Sequence, residues 1–431
     1  MADAALRLTT LAGELLGSPF PVRIRAWDGS ESGPPGGPVL VVRHRRALRR
    51  LLWRPGELGL ARAWVAGEID VDGDLYTALD RLAGILWERG PAGPGTPLHP
   101  LRDPRLRAAA RGLLSLGGPL PPPPPPAEES RRRPGSRHTR GRDRRAISHH
   151  YDVGNDFYGL VLGPSMVYSC AYFDEDGGTL EDAQRDKLDL VCRKLALKEG
   201  DRLLDVGCGW GSMAVHAARE YGARVTGITL SREQAVWARK RVADEGLTDR
   251  VEIRVQDYRD VSDGPYDAIS SIGMAEHVGQ VRYREYADLL LSLLVPGGRL
   301  LNHQIARRPE PDESAYELDA FIDRYVFPDG ELSPLGRTVA TLEDAGFEVR
   351  DVEAIREHYA RTLRAWVGNL EAAWPDAVRL VSPGRARVWR LYMAASAVAF
   401  ERNSIGVNQI LAVRTAASGA SGMRARTRDW R

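Results

Sequence analysis

The chain has 431 residues, 43% of them hydrophobic and 27% charged, with a formal net charge of +2. That is the balance of a globular protein rather than of a disordered or membrane-spanning chain, and the length allows two or three domains. Three cysteines, Cys170, Cys192 and Cys208, are too few and odd in number for a disulfide framework, which predicts a reducing, cytoplasmic compartment.

Asp3 and Glu14 interrupt the N-terminal apolar stretch and no basic segment precedes it, which argues against a secretory signal. Residues 22–27 and 38–43 alternate or run apolar on either side of a Gly/Pro-rich turn and predict a hairpin. Helical spacing follows at 47–52 and 76–87. Residues 1–100 therefore predict a small α+β domain. A low-complexity break comes next. Residues 121–126 are six consecutive prolines, a stiff extended spacer, and 131–145 carries eight arginines against one aspartate. The span 101–145 reads as a linker, with helix only near 106–116. A basic segment in an otherwise mildly acidic chain points to an anionic membrane surface, and it reads equally as a solvated linker. Without interleaved aromatics it does not suggest nucleic acid.

From residue 147 the pattern tightens. Apolar runs at 203–206, 224–228, 251–255, 266–272 and 299–305 alternate with helical stretches, the βαβ rhythm of an α/β, doubly wound, mostly parallel sheet over 146–415. The apolar run 391–400 lies between Arg390 and Glu401 and is too short to span a bilayer, so membrane contact is expected to be peripheral. Residues 416–431 are rich in Ser, Gly and Arg and predict a disordered tail. No Cys/His spacing suggests a metal site.

The run Leu203-Leu-Asp-Val-Gly-Cys-Gly-Trp-Gly211 ends an expected strand in three glycines, Gly207, Gly209 and Gly211, with a helix after them. Such a turn lets a nucleotide-like ligand lie against bare backbone. The spacing is G-x-G-x-G rather than the dinucleotide G-x-G-x-x-G, which suggests a nucleoside without phosphates, S-adenosylmethionine. Asp205 is placed to accept a hydrogen bond from its amino group. The second strand ends at Thr229 and Leu230, with Gln234 a turn later and no acidic residue to grip a ribose. After the third strand, Gln256, Asp257 and Tyr258 could frame an adenine.

Tyr151-Asp-Val-Gly-Asn-Asp-Phe-Tyr158, Met166-Val-Tyr-Ser-Cys-Ala-Tyr-Phe173, the glycine turn and Gly273-Met-Ala-Glu-His-Val-Gly279 together resemble the cyclopropane-fatty-acyl-phospholipid synthases and the related mycolic acid cyclopropane synthases, over about 146–413. The N-terminal module is similar to the small lipid-associated domain of the bacterial phospholipid enzymes. The resemblance implies a Rossmann-like methyltransferase fold. It also implies transfer of a methyl group from S-adenosylmethionine to the cis double bond of an acyl chain of an unsaturated phospholipid. The carbocation so formed then loses a proton from the new methyl and closes a ring, with bound bicarbonate as the base. Carried over residue by residue, the bicarbonate cradle is Cys170, Glu276, His303, Ile305 and Tyr359. Cys170 and Ile305 contribute backbone groups, and Glu276 orients the ion as proton acceptor. The implied cofactor contacts are Tyr168 and Ser169, the 203–211 turn, the span from Thr229 through Leu230 to Gln234, and Asp257 with Tyr258. One position departs: Ala275 stands where the family commonly has Phe, beside Glu276, and this bears on acyl-chain shape.

Other readings stay open. A methyl or methylene branch begins with the same cation; a small metabolite as acceptor, or a lipid carrier with a vestigial cofactor site, are more distant. Cys170 has no cationic neighbour in sequence to make it a nucleophile. Cys192 reads as helical core, Cys208 as a small turn residue, and His149, His150 and His277 as structural. The sequence leaves a homodimer open.

Overall fold

The architecture comes from a computed structural model that describes residues 3–86, 104–118, 120–130, 139–143, 153–174, 177–313, 316 and 318–423. The chain divides into two compact units. The first is Met1–Arg132 with Asp319–Val326 and Val381–Val398, and the second is Arg133–Leu318, Phe327–Leu380 and Ala399–Arg431.

The first unit holds a four-stranded sheet of β1 (Arg23–Arg25), β2 (Glu31–Ser32), β3 (Val39–Val42) and β4 (Ile69–Asp72), in the order β2-β1-β3-β4. The segments expected to form a hairpin are instead parallel neighbours, β1 beside β3. The reason is local. A turn closed by Gly29 N to Ala26 O brings β2 back antiparallel to β1. Gly33 then recrosses at φ +119°, where a Cβ would sit 2.9 Å from the Arg23 Cα, and the chain returns in the direction of β1. Helices Arg46–Trp53 and Leu75–Leu86 fall where their spacing predicts them, while Glu57–Val65 and β4 were not anticipated.

Much of the expected linker is part of this unit. Helix Pro104–Gly117 packs Gly112 against the Leu11 side chain and Gly117 against Leu48, and a Cβ at either would crowd the contact. The prolines are pinned where Arg50, buried and doubly bonded to Glu68, also donates to Pro124 O at 3.0 Å. Glu129 accepts from Arg62, Arg324 and Tyr325, tying 319–326 to the same unit. A satisfied buried charge network fixes a segment that composition alone reads as a spacer. The arginine-rich run falls largely outside the described residues; within it, Arg142 binds Asp329 and Arg140 binds Asp260.

In the second unit, β5 (Arg202–Val206), β6 (Arg224–Thr229), β7 (Val251–Val255), β8 (Tyr266–Ile272) and β9 (Leu294–Arg307) are parallel, with β10 (Ser333–Pro334) beside β9. Two further strands, β11 (Glu348–Ala354) and β12 (Ile405–Val413), run antiparallel and give the order β11-β12-β9-β8-β5-β6-β7. The sequence reading contained the five parallel strands and not the last two. Helices cover both faces, and two apolar clusters form the core, one around Leu203, Met213 and Leu301, the other around Leu204, Tyr286 and Leu300. Residues 416–423, expected to be disordered, fold back: Ala416 N bonds Ala420 O and Met423 packs against the first cluster. The rest of the expected tail lies outside the described residues. Among the described residues no helix is long and apolar enough to cross a membrane.

Candidate active site

β5 is paired with β6 on one side and β8 on the other, so the chain departs in opposite directions beyond its carboxyl end. Open α/β sheets bind ligands at such a switch point. Gly207, Gly209 and Gly211 take φ of +80°, +54° and +79° and turn the chain from β5 into helix Ser212–Tyr221. A cleft opens above this turn, with about 950 Å³ of space counted out through its open mouth. Of the expected cofactor contacts, Tyr168, Ser169, Asp205, Gly207, Gly209, Thr229, Leu230, Gln234 and Tyr258 line it.

Two expected contacts do not. Gly211 sits behind the turn, against Ala238 of the next helix. Asp257 spends both carboxylate oxygens on Arg259, at 2.8 Å each, and caps the short turn at Tyr258–Asp260; its neighbour Gln256 lines the cleft instead. At the end of β6, the Thr229 hydroxyl donates to Gln234 Oε1 at 2.9 Å, so these two residues form one buried polar unit.

Asp205 is buried. Its Oδ1 accepts from Ser270 at 2.7 Å and its Oδ2 has no protein partner. Burial pushes its carboxyl up to about 6, against the opposing effects of Ser270 and Lys187. Lys187, from helix Leu180–Leu195, also lines the cleft; its ammonium donates to Ser169 Oγ at 2.9 Å. Lys187, Met274 and His277 line the cleft without having been singled out as ligands from sequence. Lys187 was concealed because it lies in an ordinary amphipathic helix, and only the packing shows that helix face turned into a site.

The residues carried over as an ion cradle gather at the adjoining end of the sheet. Glu276 Oε1 accepts from Ile305 N at 2.7 Å. His303 and Ile305, two apart on β9, share a face. Ile305 pairs with Val407 on β12, Val407 O accepts from Ile355 N, and the Cys170 thiol lies 3.7 Å from Ile355 O. Tyr359 is in the first turn of the helix that starts after Ile355, with its ring against Trp366 and Phe400. This group abuts the cleft: Ile272 is level with His303, Gly273 N bonds His303 O, and Ser169 precedes Cys170.

Its electrostatics are set by burial. The Glu276 carboxyl rises to about 7, and its Oε2 is buried without a partner. His303 falls to about 3, through burial and then the nearby Lys187 and Lys194, so it is neutral at physiological pH. Gln409 meets its Nδ1 at 3.4 Å, and its Nε2 has no partner. Burial raises the Cys170 thiol far above its ordinary value, which favours the protonated, weakly nucleophilic form. The loop carrying Cys170 is held to helix Arg356–Ala372 by Ala171 N to Thr362 Oγ1 at 3.0 Å and Phe173 N to His358 Nδ1 at 2.9 Å.

A "Probable fatty acid methyltransferase" of Mycobacterium tuberculosis is 45% identical over 91% of both chains, and one of Pseudomonas putida is 40% identical over 93% of both. The cyclopropane-fatty-acyl-phospholipid synthase of Escherichia coli is 39% identical over 63% of this chain and 68% of its own. The crystal structure of mycolic acid cyclopropane synthase CmaA1 with SAH and CTAB superposes with a TM-score of 0.59 at 34% identity, covering 62% of this chain and 97% of that one. Residues 138–410 match the mycolic acid cyclopropane synthetase family model, and the chain belongs to that family.

Proposed function

We propose that this chain is an S-adenosylmethionine-dependent methyltransferase that alkylates the cis double bond of unsaturated fatty acyl chains and releases a branched, methylene-bearing chain. The observation that carries the reading is the pairing of a cleft above the glycine turn at the switch point with an adjoining buried group, in which Glu276 Oε2 and His303 Nε2 have no protein partner. The fatty acid methyltransferase relatives that match over nine-tenths of their length support the branched product.

Bound S-adenosylmethionine supplies an electrophilic methyl group. The alkene π pair forms the new C–C bond while the S–CH₃ pair stays on sulfur, leaving a cation on the neighbouring carbon. Loss of a proton from the new methyl then gives a neutral product by either of two routes: after a 1,2-hydride shift from the methyl-bearing carbon to the cationic carbon, the C–H pair forms a C=CH₂ methylene branch, and without that shift the pair closes a ring. The chain's own residues must therefore exclude water and hold a proton acceptor beside the cation. Glu276 meets that need, since its carboxyl changes protonation state close to neutrality. Its free oxygen and the neutral His303 imidazole fit bicarbonate, an ion with one hydroxyl to donate and oxygens to accept; those two residues, with Cys170, Ile305 and Tyr359 around them, would hold it, and it would supply a base.

Cyclopropane formation is the second reading, favoured by the Escherichia coli relative and by the family model. Lipids from a host expressing the chain separate the two. Both products gain one CH₂, about 14 mass units. Mild hydrogenation adds two hydrogens to a methylene product and none to a ring. Unmodified lipids, with methylation of a small soluble metabolite instead, would overturn both. Unsaturated phospholipids at an anionic surface are the proposed substrate setting.

A further inference from the structure

Lys187 and Asp205 are opposite charges sunk in the wall of one cleft, 1% and 2% exposed, and they do not bond to each other. Lys187 reaches only the Ser169 hydroxyl, a neutral partner, and Asp205 keeps one oxygen unpartnered. Isolated buried charges are costly unless something compensates them. A single ligand that carries both an anionic and a cationic group compensates both at once, and an α-amino acid end is such a group.

The surroundings assign the ends. The charged and titratable neighbours of Lys187 are Cys170 from the 166–173 loop, Asp205 from β5, His303 from β9 and, from helix Ser212–Tyr221, His216, whose own burial lowers its pKa and favours the neutral ring. Cys170 stays protonated and His303 neutral, which leaves Asp205 as the fixed anion and Lys187 as the fixed cation. Burial lowers Lys187 only to about 8, so it remains largely charged at neutral pH. Helix Leu180–Leu195 aims it firmly: one turn earlier, Gln184 Nε2 donates to Ser169 O at 3.0 Å, fixing the loop that Lys187 also bonds.

We infer that Lys187 is the specificity-determining contact for the carboxylate of an amino-acid-bearing nucleoside, with Asp205 Oδ2 taking its ammonium group. This rests on the cofactor reading above and adds to it the residue that tells such a ligand from a nucleoside lacking the carboxylate.

The test is calorimetric titration of the full chain with S-adenosylhomocysteine and with its decarboxylated analogue, which keeps the amino group. Losing a charge-assisted hydrogen bond at a buried site is expected to weaken binding about tenfold or more. The wild type should therefore prefer S-adenosylhomocysteine by that factor. Lys187→Met should lose at least that factor for S-adenosylhomocysteine and stay within about twofold for the analogue. Lys187→Gln serves in the same comparison if the Met variant does not fold. Equal losses for both ligands, or a wild type that binds both equally, overturn this inference alone. A wild type that binds neither overturns the cofactor reading and this inference with it.

Discussion

Glu276 and Ile305 are joined by a 2.7 Å hydrogen bond from the strand amide to one carboxylate oxygen, while the other oxygen of Glu276 is buried without a partner. The bond aims the carboxyl, and the spare oxygen gives it something to do. A fully satisfied glutamate here would be structural.

Glu276→Gln is expected to lower turnover about a hundredfold or more while S-adenosylmethionine affinity changes less than twofold, because Glu276 lies beside the cleft and not in its lining. Steady-state kinetics with calorimetry check this, and a parallel loss of binding would contradict it. In the wild type, kcat/KM should rise with pH through about 7 as the carboxyl ionises. The stability sign is opposite. A carboxyl raised from 4.5 to about 7 favours folding fully below 4.5, and that contribution is lost as pH rises through 7. Glu276→Gln should therefore gain stability over the wild type across that window, on the order of 1–3 kcal/mol, read from denaturant midpoints at pH 5 and 8.

His303 is expected to stay neutral down to about pH 4, since burial holds it at about 3. Nitrogen-labelled histidine spectra would show this directly. A resonance titrating near its ordinary 6.5 would mean that the site is wetter than its packing indicates.

Thr362→Val should destabilise the protein by about 1–3 kcal/mol, because it leaves the buried Ala171 amide without its acceptor. Thr362→Ser should restore most of the loss. The same loop carries Tyr168 and Ser169, so cofactor affinity should fall with the valine and recover with the serine. Equal effects of the two variants would assign the loss to packing rather than to the hydrogen bond.

Gly211→Ala should cost more stability than Gly209→Ala. At Gly211 the backbone has φ +79° and a Cβ would lie 3.1 Å from the Ala238 Cβ; at Gly209 the nearest atom is 4.0 Å away, at the end of Gln234. About 1–3 kcal/mol is expected for the first. Thermal unfolding of the pair decides it, with the reverse order as the contrary result.

Ala275→Phe should change which acyl chains are used without altering cofactor affinity. Ala275 and Glu276 border one small, tight cavity, and an aromatic ring at 275 would crowd it and the residues around it. Competition among chains differing in length and double-bond position measures it, and an unchanged ranking would separate Ala275 from substrate shape.

The local pattern determined much of this protein. Apolar runs alternating with helical spacing specify five parallel strands, because the inner strands are buried on both faces and read as nearly continuous hydrophobic sequence, while the edge strand β7 alternates. The glycine turn is legible because it depends on backbone dihedrals that few residues other than glycine adopt. Glu276 was legible only through its motif. Tertiary structure decided the rest. β1 and β3 run parallel because Gly33 recrosses the chain, and the proline stretch is fixed because Arg50 happens to meet both Glu68 and Pro124. Asp257 turned to Arg259 and left the cleft to Gln256. Lys187 became a candidate ligand contact only when its helix packed beside β5 and put its ammonium in the same wall as Asp205. Spacing along a chain records which face a residue takes on its own element; which charges then meet across a cleft depends on how separate elements pack, and one-dimensional periodicity does not carry that information.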